Sequence, residues 1–362
     1  MKKKYTAIES FCGAGGLSLG LKSAGFDVKL AFDLNEFAVA TYNSGVGENA
    51  IVADASLLSV DSILEKTGLA PGELDLFSGG PPCQGFSKQR RGAHLWEDPR
   101  NFLIAEYIRF VKGLQPKSFI LENVAIFGQK RGEKHLKDLE VELENYTLHP
   151  NIYNAADFGL AQTRERFILV GIRKDIDGDF IVPKATHRQW RTVRDVIADI
   201  PEPPDDCTIH PDYHNHQKGR ISKENELRIS FVPQGGGWQD IPWEHRLPCH
   251  QKANVSSGGW PDVYGRLHWD KQCPTITGGF DNFSRGRFGH PEQNRAITPR
   301  EAARIQGFPD CIEFKGNRHE VRYQIGNAVP PPLASAIGKS IINAINGEKD
   351  TSEQQLKLEL AV

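Results

Sequence analysis

The stretch ESFCGAGGLSLGL, residues 9–21, sets Gly13, Gly15 and Gly16 between an apolar run and a segment with helical spacing. A strand that ends on such a loop and feeds a helix lets the backbone approach a bound cofactor closely. A tight turn without a ligand has the same appearance, so the neighbouring residues decide. Asp33 closes the next apolar run, VKLAFD, twenty residues after Gly13, where an acid can bind ribose hydroxyls. Asp54 closes the third run, NAIVAD. Two acids at successive strand ends beside a glycine loop favour an adenosine-type ligand. No Gly-Lys-Ser/Thr follows, which argues against a phosphate-binding P-loop. The spacing is G-x-G-G rather than G-x-G-x-x-G, which leaves a nicotinamide dehydrogenase as the weakest reading.

Outward from this loop, LDLFSGG and SFILEN continue the alternation of apolar runs and helix-like segments, the rhythm of a parallel sheet wrapped by helices. YTLHPNIYNAADFG and RFILVGIRKD read as a further strand pair. From about residue 184 proline, histidine, tryptophan and glycine rise. Residues 201–292 show little helical periodicity, which predicts a loop-rich recognition module with short strands. Regular structure resumes at ITPREAARIQGF, where Thr298 can cap a helix, Pro299 suits its first position and Glu301 completes a capping box. LASAIGKSIINAI reads as an amphipathic helix. The expected organisation is a cofactor domain of residues 1–185 with 320–362, and a recognition domain of residues 186–319 that includes the helix at 298–306.

With 362 residues, 39% hydrophobic and 25% charged, the chain can bury two cores, and a net charge of -2 gives no global signal for nucleic acid or membrane. The six cysteines form no C-x-x-C pair, and no apolar run has the length of a signal peptide core or a membrane span. The expectation is a protein of the reducing cytoplasm.

LDLFSGGPPCQGFS, residues 74–87, brings Cys83 past a strand end, where ligands bind in open α/β sheets, with Pro81 and Pro82 fixing its approach. A thiolate nucleophile fits this place better than a buried filler, although no histidine adjoins it to act as a base. Glu122, followed by Asn123 in ILENV, falls at the same sheet edge as a natural acid partner. Gln162, Arg164 and Arg166 alternate in QTRERF, hence on one face of a strand, where two arginines can orient an anion or a base edge. Lys88, Arg90 and Arg91 follow the cysteine, and Arg285, Arg287 and Arg295 in DNFSRGRFGHPEQNR offer phosphate contacts. Cys207, His210, His214, His216, His245, Cys249 and His250 have spacings compatible with zinc, but lack a CxxC knuckle, and no metal is expected.

FCGAGG, GGPPCQGFS, ENV, QTRER, ITPREAARIQGFPD and YQIGNAVPPPLASAIG, in this order, closely resemble the motif series of the DNA (cytosine-5)-methyltransferases. The resemblance implies a Rossmann-like α/β domain dependent on S-adenosylmethionine, with a mixed, mostly parallel sheet and a smaller target-recognition domain. It also implies the roles. Phe11 would stack on the adenine, Gly13, Gly15 and Gly16 would pass the methionine part, Asp33 would hold the ribose and Asp54 the adenine amino group, with Leu34 a further cofactor-binding residue. Pro82 and Asn327 would complete the pocket. Cys83 would attack a flipped-out cytosine, with Glu122, Asn123, Arg164 and Arg166 around the base. Gln84, Ser87, Lys88, Arg90, Arg91, Thr275, Thr277, Arg285 and Arg287 would face double-stranded DNA. A cognate restriction endonuclease is the partner such a system implies. The rival readings are an RNA cytosine methyltransferase, against which the long tryptophan-rich recognition region argues, and a catalytically silent DNA-binding relative, against which the retained cysteine and acid argue.

Overall fold

The computed structural model describes residues 4–82, 102–129, 133–253 and 262–350. Strand β1 (Tyr5–Ser10) runs through the glycine loop into helix α1 (Gly16–Ala24), and β2 (Phe26–Asp33) into α2 (Glu36–Gly45). Then come β3 (Ala50–Val52), α3 (Val60–Thr67), β4 (Leu76–Gly79), α4 (Phe102–Leu114), β5 (Ser118–Val124) and α5 (Glu133–Glu142). The expected strand pair is β6 (Tyr146–Asn154) and β7 (Glu165–Arg173). Short helices α6 (Arg194–Ile197), α7 (Lys223–Ser230) and α8 (Pro248–Gln251) precede α9 (Pro299–Ile305), α10 (Arg318–Asn327) and α11 (Pro331–Ile345).

The strands form one seven-stranded sheet in the order β3-β2-β1-β4-β5-β7-β6. β1 to β5 pair in parallel, and β7 is antiparallel to both of its neighbours. The sheet is therefore mixed and mostly parallel, as expected. Both faces are covered, which is why the strands read as nearly continuous apolar runs rather than alternating ones. On one face Phe77, Phe119 and Leu121 pack against Ile104, Tyr107, Phe110 and Val111 of α4. On the other, Ala7, Val28 and Ile120 pack with Leu17 and Leu21 of α1 and with Leu333, Ile337 and Ile341 of α11. α1 and α11 approach so closely that a Cβ on Gly20 would lie 2.3 Å from the Pro331 carbonyl oxygen. Only glycine fits there.

A third core joins Ala14 and Ala161 to residues from 193 to 325, including Ala302, Ala303 and Ile305 of α9, while a small separate core gathers Ile229, Val232, Trp238, Ile241, Tyr264 and Phe283. The α9 helix placed with the recognition domain thus packs in a core that also holds glycine-loop residue Ala14. The capping box at its start is present as expected, with Thr298 accepting from Glu301 N and Glu301 accepting from Thr298 N.

Two expectations for residues 201–292 are corrected. Instead of short strands, their described residues take part only in isolated bridges, Arg266 with Gly289, Gly289 with Ala296 and Gln162 with Cys273. The segment also holds a capped helix, α7, with the Ser222 side chain accepting from Asn225 N. Side chains supply what strand ladders do not. Buried Arg266 donates to the carbonyls of Val232, His290 and Ile229, and Arg300 donates to those of His214, Pro309 and Ile312. Each guanidinium fixes several loop carbonyls at once, which satisfies buried backbone without secondary structure.

Candidate active site

A cavity of about 340 Å³ opens past the carboxyl ends of β1, β2, β3 and β4. Its wall takes Phe11, Gly13 and Gly16 from the glycine loop, Asp33 and Leu34 from the end of β2, Asp54 after β3, Pro82 after β4, and Asn327 from the end of α10. Gly15 is not in the wall. It caps α1 in the left-handed conformation, at φ 83°, where a side chain would be strained. Phe11 also has positive φ, 52°, an uncommon conformation for a bulky residue, which such residues keep where the surroundings enforce it.

Asp33 is already engaged on both oxygens, accepting from Gly13 N and Asn35 N at 2.8 Å each, so the loop and the acid hold one another. Asp54 accepts from the hydroxyl and N–H of Ser56, which keeps its carboxyl below the usual range and therefore ionised. Leu34 is 69% exposed at the cavity mouth, an apolar surface with nothing over it among the described residues.

The sequence reading missed Glu9. This acid is the penultimate residue of β1, is buried, and lines the same cavity. Ser18 donates its hydroxyl to Glu9, and Tyr42 donates to Ser18 at 2.9 Å. Burial pushes the Glu9 carboxyl up to about 8, with the nearby Asp33 charge acting in the same direction. A group raised in this way favours the fold while it stays protonated. As pH climbs from about 4.5 to about 8 the unfolded chain gives up this proton first, and that stability is lost. Thermal unfolding without ligand should accordingly show wild type weakening between pH 5 and pH 8 more steeply than Glu9→Gln. Parallel curves for the two proteins would mean that Glu9 ionises in its ordinary range.

Glu122, at the end of β5, reaches the same cavity. Its carboxylate pairs with Arg166 Nε at 3.0 Å. Burial raises its pKa, and the charges of Arg166 and Arg164 pull the other way. A Cβ on Gly80 would meet Glu122 Oε2 at 2.8 Å, so the absent side chain is what admits the acid. Asn123 donates its side-chain amide to the Pro81 carbonyl at 3.3 Å and ties the end of β5 to the Pro-Pro segment. Cys83, Gln84, Ser87, Lys88, Arg90 and Arg91 lie outside the described residues.

The expectation that Gln162, Arg164 and Arg166 share one strand face holds only in part. β7 begins at Glu165, and the residues before it turn to the recognition segment. Gln162 donates to Gln306 and accepts from Ile276 N. Arg164 is fully buried and donates to the carbonyls of Ile276, Gly326 and Ala328. Arg166, not Arg164, makes the ion pair with Glu122. Of the other arginines, Arg295 is buried against Glu301, with bonds of 2.8 and 2.6 Å, and offers no phosphate contact. Arg287 is held by Asp262 and by the carbonyls of Gly235, Gly236 and Arg266. Arg285 is exposed, and with Thr275 and Thr277 it lines a groove of about 690 Å³. Thr275 donates to the Thr163 carbonyl.

No group of three or more His, Cys, Asp or Glu side chains among the described residues converges as a metal site would require. His216 bridges Thr298 Oγ1 and the Pro201 carbonyl, and His250 stacks on Trp238 at 4.9 Å. Among the described residues no helix is long and apolar enough to cross a membrane.

The described cavity wall carries four carboxyl side chains, Glu9, Asp33, Asp54 and Glu122, and neither lysine nor arginine. Such a wall suits a cationic ligand with hydroxyls, and disfavours a pyrophosphate. Fold and cavity together define a doubly wound α/β protein with a carboxylate-lined cavity past the carboxyl ends of its parallel strands. The family model described as C-5 cytosine-specific DNA methylase matches residues 5–343. The Type II methyltransferase M1.HphI of Haemophilus parahaemolyticus is 36% identical over 95% of this chain and 88% of its own length, and M.NgoFVII of Neisseria gonorrhoeae is 33% identical over 94% and 87%. The crystal structure of an Escherichia coli prophage protein described as a DNA modification methyltransferase superposes with a TM-score of 0.69 at 27% identity, covering 95% of this chain and all of that one. The chain belongs to the C-5 cytosine-specific DNA methylase family, and it is a DNA cytosine methyltransferase of the restriction-modification type.

Proposed function

We propose that the protein methylates carbon 5 of a cytosine flipped out of double-stranded DNA, with S-adenosylmethionine bound in the carboxylate-lined cavity and Cys83 as the nucleophile. The observation that carries this reading is the meeting at one cavity of the adenosine-type wall, the buried Glu122 and the Pro81-Pro82 segment that leads into Cys83. Phe11 and Leu34 would flank the adenine, Asp54 would take its amino group, Asp33 the ribose, Gly13 and Gly16 the methionine part, and Pro82 and Asn327 would close the pocket. Glu9 would add a buried carboxyl, held protonated by burial, that a bound cation would draw toward its ionised form. S-adenosylmethionine supplies, when bound, a methyl group activated by its sulfonium charge.

The chain's own residues do the rest. The Cys83 thiolate adds to carbon 6, and the ring's electron pair shifts so that carbon 5 becomes nucleophilic. Glu122, kept toward its protonated form by burial, hydrogen-bonds the ring nitrogen and exocyclic amine as charge develops there, and Arg166 holds Glu122 in place. Once carbon 5 is methylated it loses its proton to a base, and the electron pair returns to form the double bond as the thiolate leaves. Flipping is required because neither carbon can be attacked within the stack. The exposed Arg285, with Thr275 and Thr277, would face the DNA, as would Gln84, Ser87, Lys88, Arg90 and Arg91 of the loop beyond Cys83. The recognition module would comprise residues 186–319, with residues 1–185 and 320–362 carrying catalysis. A cognate endonuclease in the same cell and a cytoplasmic location complete the reading.

Fluorine at carbon 5 cannot leave as a cation, so it blocks the last step. Once 5-methylcytosine has been mapped in DNA from cells expressing the protein, a duplex with 5-fluorocytosine at the mapped site should form, with S-adenosylmethionine, a complex that survives denaturation. Peptide mapping should place the link at Cys83. Trapping on RNA but not on duplex DNA would favour the RNA reading. Binding of DNA with no trapping would favour the silent relative.

A further inference from the structure

Helix α10 has two working faces. Arg318, Arg322 and Gly326, spaced by four residues, share the face turned to the recognition segment. There the Asp281 carboxylate, its side chain almost wholly buried, accepts from Arg318 Nε at 2.5 Å and from Arg322 Nη1 at 2.7 Å. Four residues on, a Cβ at Gly326 would sit 2.5 Å from both Gly278 N and Thr277 C, so backbone meets backbone. The adjoining face presents Tyr323, Gln324 and Asn327 to the cofactor cavity. This face is tied to the cofactor domain, where Thr41 Oγ1 donates to Gln324 Oε1 at 2.7 Å and Asn35 Nδ2 to Glu320 Oε2 at 2.8 Å.

We infer that Asp281 is a positioning residue that couples the DNA-facing segment 275–285 to the cofactor cavity through α10. A hydrogen-bonded helix of ten residues moves as a body. Asp281 holds two successive turns of it, and Arg285 and Thr277, on either side of Asp281 in sequence, line the groove assigned to DNA. A duplex that shifts this segment therefore shifts Tyr323, Gln324 and Asn327 in the cavity wall. By thermodynamic reciprocity, a ligand in the cavity strengthens the grip on DNA by the same factor. The inference rests on the assignment of cavity and groove made above.

The test measures binding of S-adenosylhomocysteine by calorimetry, with and without a saturating duplex carrying the mapped site. In wild type the duplex should tighten binding at least about five-fold. In Asp281→Asn, which keeps the shape and removes the charge that holds both arginines, that ratio should fall toward one, and Asp281→Glu should restore part of it. Arg318→Gln keeps the Asp281–Arg322 pair and should lower the ratio part-way, which preserves the readout if Asp281→Asn does not fold. A wild-type ratio of one overturns the inference. So does a variant that weakens binding equally with and without DNA, since that is a merely structural role. Failure of wild type to bind either S-adenosylhomocysteine or the duplex would instead bring down the assignment of the site, and this inference with it.

Discussion

Cys83→Ser should bind S-adenosylmethionine and DNA as wild type does and transfer no measurable methyl group. A thiol with an ordinary pKa is a few per cent thiolate at neutral pH, whereas a serine hydroxyl is scarcely ionised and needs a base beside it. The sequence offers no histidine next to Cys83, and among the described residues the charges acting on Glu122 are those of Arg166 and Arg164, neither of which accepts a proton. The loss should be at least about 10³-fold, more than 4 kcal/mol of transition-state stabilisation. Transfer of a radiolabelled methyl group to duplex DNA reads the activity, and calorimetry reads the cofactor. The described residues of the cavity wall are unchanged in this variant, so affinity should change little. Turnover near wild type would remove Cys83 from the mechanism.

Arg164→Met is expected to be the most destabilising single change in the site. The guanidinium is fully buried and supplies donors to three carbonyls: Ile276, Gly326 of α10 and Ala328 just beyond it. Methionine fills much of the space but donates nothing. Each buried carbonyl left without a donor costs about 1–3 kcal/mol, so the sum is on the order of 5 kcal/mol. The native arginine carries its own burial cost, seen in a pKa driven well below its normal value, and that relief offsets part of the loss. Differential scanning calorimetry should still show Tm lowered by about 5 °C or more, with methylation lost alongside stability. An unchanged Tm would mean that water or neighbouring groups satisfy these carbonyls once the guanidinium is gone.

The strands of the sheet were legible because each is a short apolar run punctuated by glycine or a polar residue, and burial on both faces makes such runs continuous. The helix at Thr298 was legible because its capping box is local. Glu9 escaped, since an acid at the end of an apolar strand has no periodic signature, and what distinguishes it, burial beside Ser18 and Asp33, exists only after folding. Arg295 misled for a related reason: it stands in a stretch whose arginines read as phosphate contacts, and its buried partner Glu301 gives no local signal of the pairing. In the recognition region the loops are pinned by Arg266 and Arg300 donating to scattered carbonyls, a form of order that hydrophobic spacing cannot announce. Arg164 shows both sides: its motif was visible, but its bonds to three carbonyls were not.

The way α10 and α11 close the cavity and the sheet also fixes a timetable. All seven strands lie between residues 5 and 173, yet the cavity wall is finished by Asn327, Ala328 and Val329, and α1 is covered by α11. On a ribosome adding about 5–20 residues per second, roughly 8–30 seconds separate the last strand from the last piece of the wall. During that interval the nascent chain holds a sheet with one face bare and an incomplete cavity at its strand ends. The methyl donor cannot act as a folding template early in synthesis, and chains interrupted in the recognition region leave products with an uncovered apolar face, the kind of surface on which chaperones and proteases act.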